Sequence, residues 1–146
     1  MGYTHYWSNR PYEIDDYDAL CADVDLIQAY CEKKGVKLTG FDTESNDYRE
    51  GAPLYNESRI AFNGLEDESC ESFVMQRVAA RSEAFMFCKT WREPYDLAVC
   101  LVLLRMKAIV LDFEFDSDGN LRTEPEWIEA KRSYRALFGP KAPKVR

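Results

Sequence analysis

The chain has one histidine, seven glycines, and fewer basic than acidic residues, 19 against 26 in 146. Each shortage removes a class of function. With His5 alone, and no Cys-x-x-Cys or His-x-x-x-His spacing, no zinc-finger or zinc-protease pattern can be written. The shortage of Lys and Arg gives a net charge of −7 and a pI near 4.8, which opposes the extended phosphate-tracking surface on which nucleic-acid affinity rests. Extended DNA or RNA is therefore not the expected partner. No basic, apolar-cored leader opens the chain. The longest apolar run, LAVCLVLL at 97–104, is too short for a bilayer span. The expectation is a cytoplasmic protein without a membrane partner. The five cysteines (21, 31, 70, 88 and 100) are an odd, unclustered set, several on apolar faces, so reduced core thiols are expected rather than disulfides. A phosphate-cradling glycine loop and internal repeats are also missing.

What the chain has in excess is aromatic rings: nine Tyr, eight Phe and three Trp. They either fill the core or build a stacking surface at a site, and composition leaves both open. The length suits one compact domain. We assign residues 1–139 to it and 140–146 to a basic C-terminal tail.

GYTHYW alternates β-favouring residues and predicts a first strand, with Tyr3, His5 and Trp7 on one face and Thr4 and Tyr6 on the other. From Asp15 to Lys34, Leu20, Val24, Ile27 and Cys31 share one helical face and Gly35 stops the helix. VKLTGF (36–41) reads as a strand and 42–58 as a long loop, either functional or disordered. RIAFNG (59–64) and SFVMQRV (72–78) read as strands pairing across the acidic turn LEDESCE. EAFMF (83–87) is either strand or the approach to a helix. PYDLAVCLVLLRMKAI (94–109) is apolar almost all round and predicts a core helix. VLDFEFDSDGN (110–120) alternates as a half-buried strand running into a turn. Thr123 and Glu126 have capping-box spacing for a last helix reaching Phe138 and burying Trp127 and Tyr134. Mixed elements without regular βαβ alternation predict an α+β fold, a largely antiparallel sheet packed by about three helices.

FCKTWREPYD (87–96) carries the most chemistry. A proline suits the first helical position and restricts the residue before it, so Glu93 is the expected cap and Pro94 the first helical residue. Lys89, Thr90 and Arg92 would then precede a helix N-terminus, where unpaired N–H groups and full positive charges attract a phosphate or carboxylate. Alternatively Thr90 caps the helix with Glu93 as its capping-box partner. A third reading has Glu93 and Asp96 neutralise Arg92 within an ordinary salt-bridged helix start. His5 sits among rings and reads as a structural histidine or a ligand contact; a general base would need a partner that no spacing reveals. Asn63, in AFNG, reads a ligand edge or makes a turn. DSDGN lacks the later ligands of a calcium loop.

The blocks MGYTHYW, IAFNG, FCKTWREPYD and SDG together resemble a group of small phage and prophage proteins that open with this heptapeptide and carry FCKTxxxPYD. Glu93 and Asn120 stand where that group has a basic residue and a Trp. The resemblance implies a phage-encoded accessory protein in a bacterial cytoplasm, and among such proteins are anti-defence sponges that sequester nucleotide-derived immune signals. The expected function is noncatalytic binding of a cyclic-nucleotide or ADP-ribose-type molecule. The candidate ligand-binding residues are His5, Tyr6, Trp7, Asn63, Lys89, Thr90, Arg92 and Tyr95, with no catalytic residue, metal or cofactor assigned. A homodimer would let so small a domain enclose its ligand. Two rivals stay open: an enzyme that degrades the messenger, and an acidic inhibitor that covers a basic host protein.

Overall fold

The computed structural model describes residues 2–8, 10–79 and 85–140. They form an α+β fold of three helices and antiparallel sheets. In chain order the elements are β1 (Thr4–Trp7), β2 (Tyr12–Glu13), α1 (Tyr17–Lys33), β3 (Leu38–Asp42), β4 (Asp47–Glu50), β5 (Arg59–Gly64) and a short 3₁₀ turn (Glu66–Glu68). They continue with β6 (Phe73–Gln76), β7 (Val78–Ala79), β8 (Met86–Lys89), α2 (Asp96–Ile109), β9 (Phe115–Ser117) and α3 (Pro125–Phe138). The strands divide into a three-stranded sheet β8-β1-β9, a two-stranded ribbon β2-β7, and a four-stranded sheet β4-β3-β5-β6. The basic tail at 141–146, and Glu83 and Ala84 of the EAFMF segment, lie outside the described residues.

The core is organised around α2. Every residue from Asp96 to Leu104 is buried, because the helix packs against both α1 and α3 and belongs to one cluster with Trp7, Phe62 and Phe73 from the sheets. Each fully buried Leu or Val contributes about 1.5–3 kcal/mol, so the apolar run 97–104 makes this helix a large source of hydrophobic stabilisation. α1 is held at its start by Asp16, whose carboxylate accepts from Ala19 N–H at 3.1 Å, and turns Leu20, Val24, Ile27 and Cys31 inward. In β3, Gly40 lets the 52–53 backbone cross closely: a Cβ there would stand 2.0 Å from Pro53 O. No helix among the described residues is long and apolar enough to cross a membrane. All five cysteines are free thiols, and all but Cys70 are buried.

The fold corrects several expectations. The 42–58 loop contains β4, which pairs with β3 from Thr39↔Glu50 to Asp42↔Asp47. Asn46, with φ 55, makes the tight turn between them that composition alone left as loop. Strand β9 is only Phe115–Ser117, because Val110 closes α2 and Phe113 turns back toward it through Phe113 N–H to Val110 O. Helix α2 begins at Asp96 with Tyr95 as its cap rather than at Pro94 after Glu93; Pro94 and Tyr95 instead form a preceding turn closed by Asp96 N–H to Glu93 O. The Thr123–Glu126 capping box does not form. Glu124 caps α3 without a side-chain bond and Pro125 opens it, while Asn120 Oδ1 takes the N–H groups of Arg122 and Thr123.

Candidate functional site

Strand β1 lies between β8 and β9, so its two faces carry two rows of side chains. The inner row is Cys88, His5 and Ser117, set in register across the three strands; the outer row is Phe87, Tyr6 and Asp116. The period-2 alternation read in GYTHYW generates both. The faces differ completely in their chemistry.

On the inner face His5 has no exposed surface. Its Nε2 lies 2.6 Å from Asp96 Oδ1 and its Nδ1 lies 2.9 Å from Ser117 Oγ. Ser117 Oγ already accepts the indole N–H of Trp127 at 3.0 Å and the N–H of Gly119 at 3.1 Å. With both lone pairs taken, its own hydrogen points to Nδ1. Nε2 then carries the ring proton and donates it to Asp96. The same carboxylate oxygen accepts the Thr90 hydroxyl at 2.6 Å, and Oδ2 faces the Cys100 thiol at 3.5 Å. Tyr3 and Trp127 stand edge-on to the imidazole at 5.1 and 5.3 Å. Gly119 is required by this closure, since a Cβ on it would lie 2.4 Å from Tyr3 Oη. Burial pushes the Cys100 and Cys88 thiols and the Tyr3 phenol upward, so all three stay neutral near pH 7. Asp96 sits in the first turn of α2, where the helix terminus favours a carboxylate.

This Ser–His–Asp chain has the composition of a hydrolase triad, but Ser117 Oγ is occupied by two N–H donors on the side a nucleophile would use. Its arrangement is that of a polar clasp binding β1, β9, α2 and α3 together. Sequence reasoning missed Asp96, Cys100, Ser117 and Trp127 as its members. One signal was legible: a lone carboxylate directly ahead of the apolar run 97–104, four residues before a cysteine.

The predicted site residues separate accordingly. His5 and Thr90 meet on Asp96. Trp7 is core, against the Phe73 ring at 5.0 Å. Tyr95 is buried, with its hydroxyl donated to Glu71 O. Asn63 belongs to the four-stranded sheet, where its amide donates to Cys70 O and Ser72 Oγ and accepts from the Gly64 and Cys70 N–H groups. Arg92 reaches Glu124 at 2.6 Å and Glu126 at 2.7 Å and lies over the Tyr3 ring, 4.0 Å from its centre. The residues that neutralise it thus come from the start of α3, its cap Glu124 and Glu126 of the first turn. Trp91 and Arg92 both adopt positive φ, 56° and 60°, a conformation L side chains rarely take; the N–H groups of Thr90 and Trp91 hold the turn by bonding Tyr3 O.

Of the predicted site residues, only Tyr6 and Lys89 look outward from the small sheet. Tyr6 stacks on Phe85 at 6.2 Å, Phe85 meets Phe87 at 6.4 Å, and Phe85 and Phe87 are 59% and 56% exposed. A shallow hollow of about 200 Å³ opens between Tyr6, Phe85, Phe115 and Asp116. Tyr6 donates its hydroxyl to Asp118, which raises the phenol's pKa. Lys89, two residues beyond Phe87 on the same strand face, lies along Gly2 and makes no ion pair among the described residues. The sequence signal for this face was the FMFCK alternation. Compared with family models, curated proteins and solved structures, the chain matches none.

Proposed function

We propose that the protein binds a nucleotide-derived small molecule on the outer face of β8-β1-β9 and holds it without turning it over. The observation that carries this is the contiguous exposed strip Tyr6, Phe85 and Phe87 with Lys89 at one end. Exposed rings on a sheet stack planar bases, and a lysine holds a phosphate as a point charge. Tyr6 and the Thr4–Lys89 pair are two residues apart along the strand, about 7 Å, a span suited to a base at one end and a phosphate at the other. Asp116 at the rim of the hollow can accept hydrogen bonds from a base's amino group. Asp116 and Asp118 belong to the β9 side, with β1 between them and β8; on the β8 side the Glu71 carboxylate accepts the Lys89 N–H at 2.7 Å, so an anion there would be held by the Lys89 ammonium beside that carboxylate.

The sequence blocks shared with small phage proteins support a role as a phage-encoded sponge in the bacterial cytoplasm. A second copy laid over the same open face would enclose the ligand. The test is to purify the protein from cells with an active nucleotide-signalling defence, denature it, and identify what is released. An intact nucleotide is expected. Released product after incubation with authentic messenger would replace sequestration by catalysis. A stoichiometric host protein and no small molecule would replace it by protein inhibition.

A further inference from the structure

We infer that His5, Asp96 and Cys100 form a site for a thiophilic divalent cation of the zinc class. This is separate from the nucleotide reading and uses the opposite face of the sheet. Three different donor types converge here: an imidazole nitrogen, a carboxylate and a thiol, with their ligand atoms all within 4.8 Å of one another. Cys100 Sγ lies 3.7 Å from His5 Nε2 and 3.5 Å from Asp96 Oδ2. With zinc–sulfur bonds of about 2.3 Å and zinc–nitrogen or zinc–oxygen bonds of about 2.0–2.2 Å, those separations are close to the edges of a tetrahedron. The His5 Nε2 to Asp96 Oδ1 edge, at 2.6 Å, is that of the metal-free hydrogen bond and has to open to admit an ion. Asp96 and Cys100 stand four residues apart on α2, hence on one helical face, and β1 brings His5 over them.

Charge and chemistry favour ligation over a purely hydrogen-bonded role. Asp96 is 3% exposed, and its side-chain partners are His5, Thr90 and Cys100, with no Lys or Arg among them. The α2 terminus offsets part of that buried charge. A divalent ion bound by the carboxylate and a deprotonated Cys100 would balance it, two negative charges against two positive. A thiol is a weak hydrogen-bond donor, so at these distances Cys100 adds little to the clasp unless it ligates. The surroundings also match what metal ligands require. The far nitrogen of His5 is anchored on Ser117, itself fixed by Trp127 and Gly119, and Thr90 orients the Asp96 carboxylate. On ligation through Nε2 the ring proton moves to Nδ1. Ser117 Oγ, whose two lone pairs hold the Trp127 and Gly119 N–H groups, has to release one of them to accept it and turns its own hydrogen away from the ring. Three protein ligands leave one position open, as in zinc sites that keep a water.

The experiment uses the full chain, stripped with a chelator under reducing conditions and titrated with Co²⁺ and, separately, Zn²⁺. Expected is a thiolate-to-cobalt charge-transfer band that saturates at one equivalent and is abolished by Zn²⁺, with a rise in Tm that saturates at the same ratio. Cys100→Ser should fold, as judged by circular dichroism, and lose the band; Cys70→Ser should keep it. Absence of both band and Tm rise in the wild-type chain overturns the inference, and so does a band that survives in Cys100→Ser. If Cys100→Ser fails to fold, Asp96→Asn takes its place, with a loss of cobalt affinity of at least tenfold expected and unchanged affinity overturning the site.

Discussion

The two faces of β1 differ by one residue in register and by almost everything else. Beneath the sheet, every polar atom of His5 and Asp96 has a partner within the protein, and the rings of Tyr3 and Trp127 close over them. Above it, Phe85 and Phe87 face solvent and the Lys89 ammonium makes no ion pair among the described residues, although the Glu71 carboxylate accepts the Lys89 backbone N–H. Polar groups on the packed side stabilise the fold because burial makes an unmet hydrogen bond expensive. On the open side the same kinds of group contribute little to folding and are available to a ligand. Exposure, rather than residue type, separates the side chains that hold this part of the fold from those left open to solvent.

The strongest way to break that comparison is Asp96→Ala. Removing the carboxylate strands the His5 Nε2–H, the Thr90 hydroxyl and the Cys100 thiol together, and should cost about 3–5 kcal/mol, since each buried donor left unmet costs about 1–3 kcal/mol. A urea titration measures it, and a loss below about 1 kcal/mol would mean that the clasp is no firmer than a surface ion pair.

Thr90→Val keeps the shape and removes one donor to the same carboxylate. About 1.5–3 kcal/mol should be lost, the range for a hydrogen bond to a charged group, again read from the urea midpoint. A near-zero effect would show that His5 and Cys100 alone satisfy Asp96.

Alkaline titration extends the comparison to the rest of the packed interior. Burial pushes the Cys31 thiol from 9.0 up to about 12. Because the folded value lies above the unfolded one, the neutral thiol's contribution is complete below pH 9 and is lost as pH rises from there toward 12. The urea midpoint should therefore fall over that window, and Cys31→Ala should flatten the fall while lowering stability at neutral pH. An unchanged slope in the variant would assign the alkaline loss to other groups.

Arg92→Ala removes contacts to Glu124, Glu126 and the Tyr3 ring at a half-exposed position. Solvent screening limits the expected loss to about 1 kcal/mol, measurable as a small drop in the chemical-denaturation midpoint. The smallest stability effects belong to the open face. Phe87→Ala and Lys89→Ala should each change folding stability by less than about 0.5 kcal/mol. Lys89→Ala should nevertheless weaken binding of the released nucleotide by about 1.5–3 kcal/mol if the ammonium holds its phosphate. Calorimetry of the folded variant separates the two quantities, and unchanged affinity would move the ligand off this face.

The FCKTWREPYD stretch shows how far residue chemistry carries and where it stops. Its charges were legible, as was the possibility that Arg92 is neutralised internally; a helix start was expected within it, but at Pro94, two residues before the observed one at Asp96. The neutralising carboxylates were expected at Glu93 and Asp96; in the structure Glu124 and Glu126 hold Arg92, and Asp96 is turned inward to His5. Local spacing places Lys89, Thr90 and Arg92 within four positions of one another. Strand alternation and the positive-φ turn at 91–92 then send Lys89 to the open face, Thr90 into the core and Arg92 onto α3.

By itself the sequence determined the features that depend on neighbours along the chain. The period-2 pattern of GYTHYW put His5 and Tyr6 on opposite faces, the apolar surface of 97–104 made α2 the core helix, and the scarcity of basic residues argued against a nucleic-acid surface. Only the tertiary structure decided which residues meet across large separations. His5 reaches Asp96 and Cys100 over more than 90 positions, and Ser117 over 112. Those contacts depend on strand order and on the packing of α2 under β1, which arise from the summed burial of the whole core, and no motif of fixed spacing encodes such a sum.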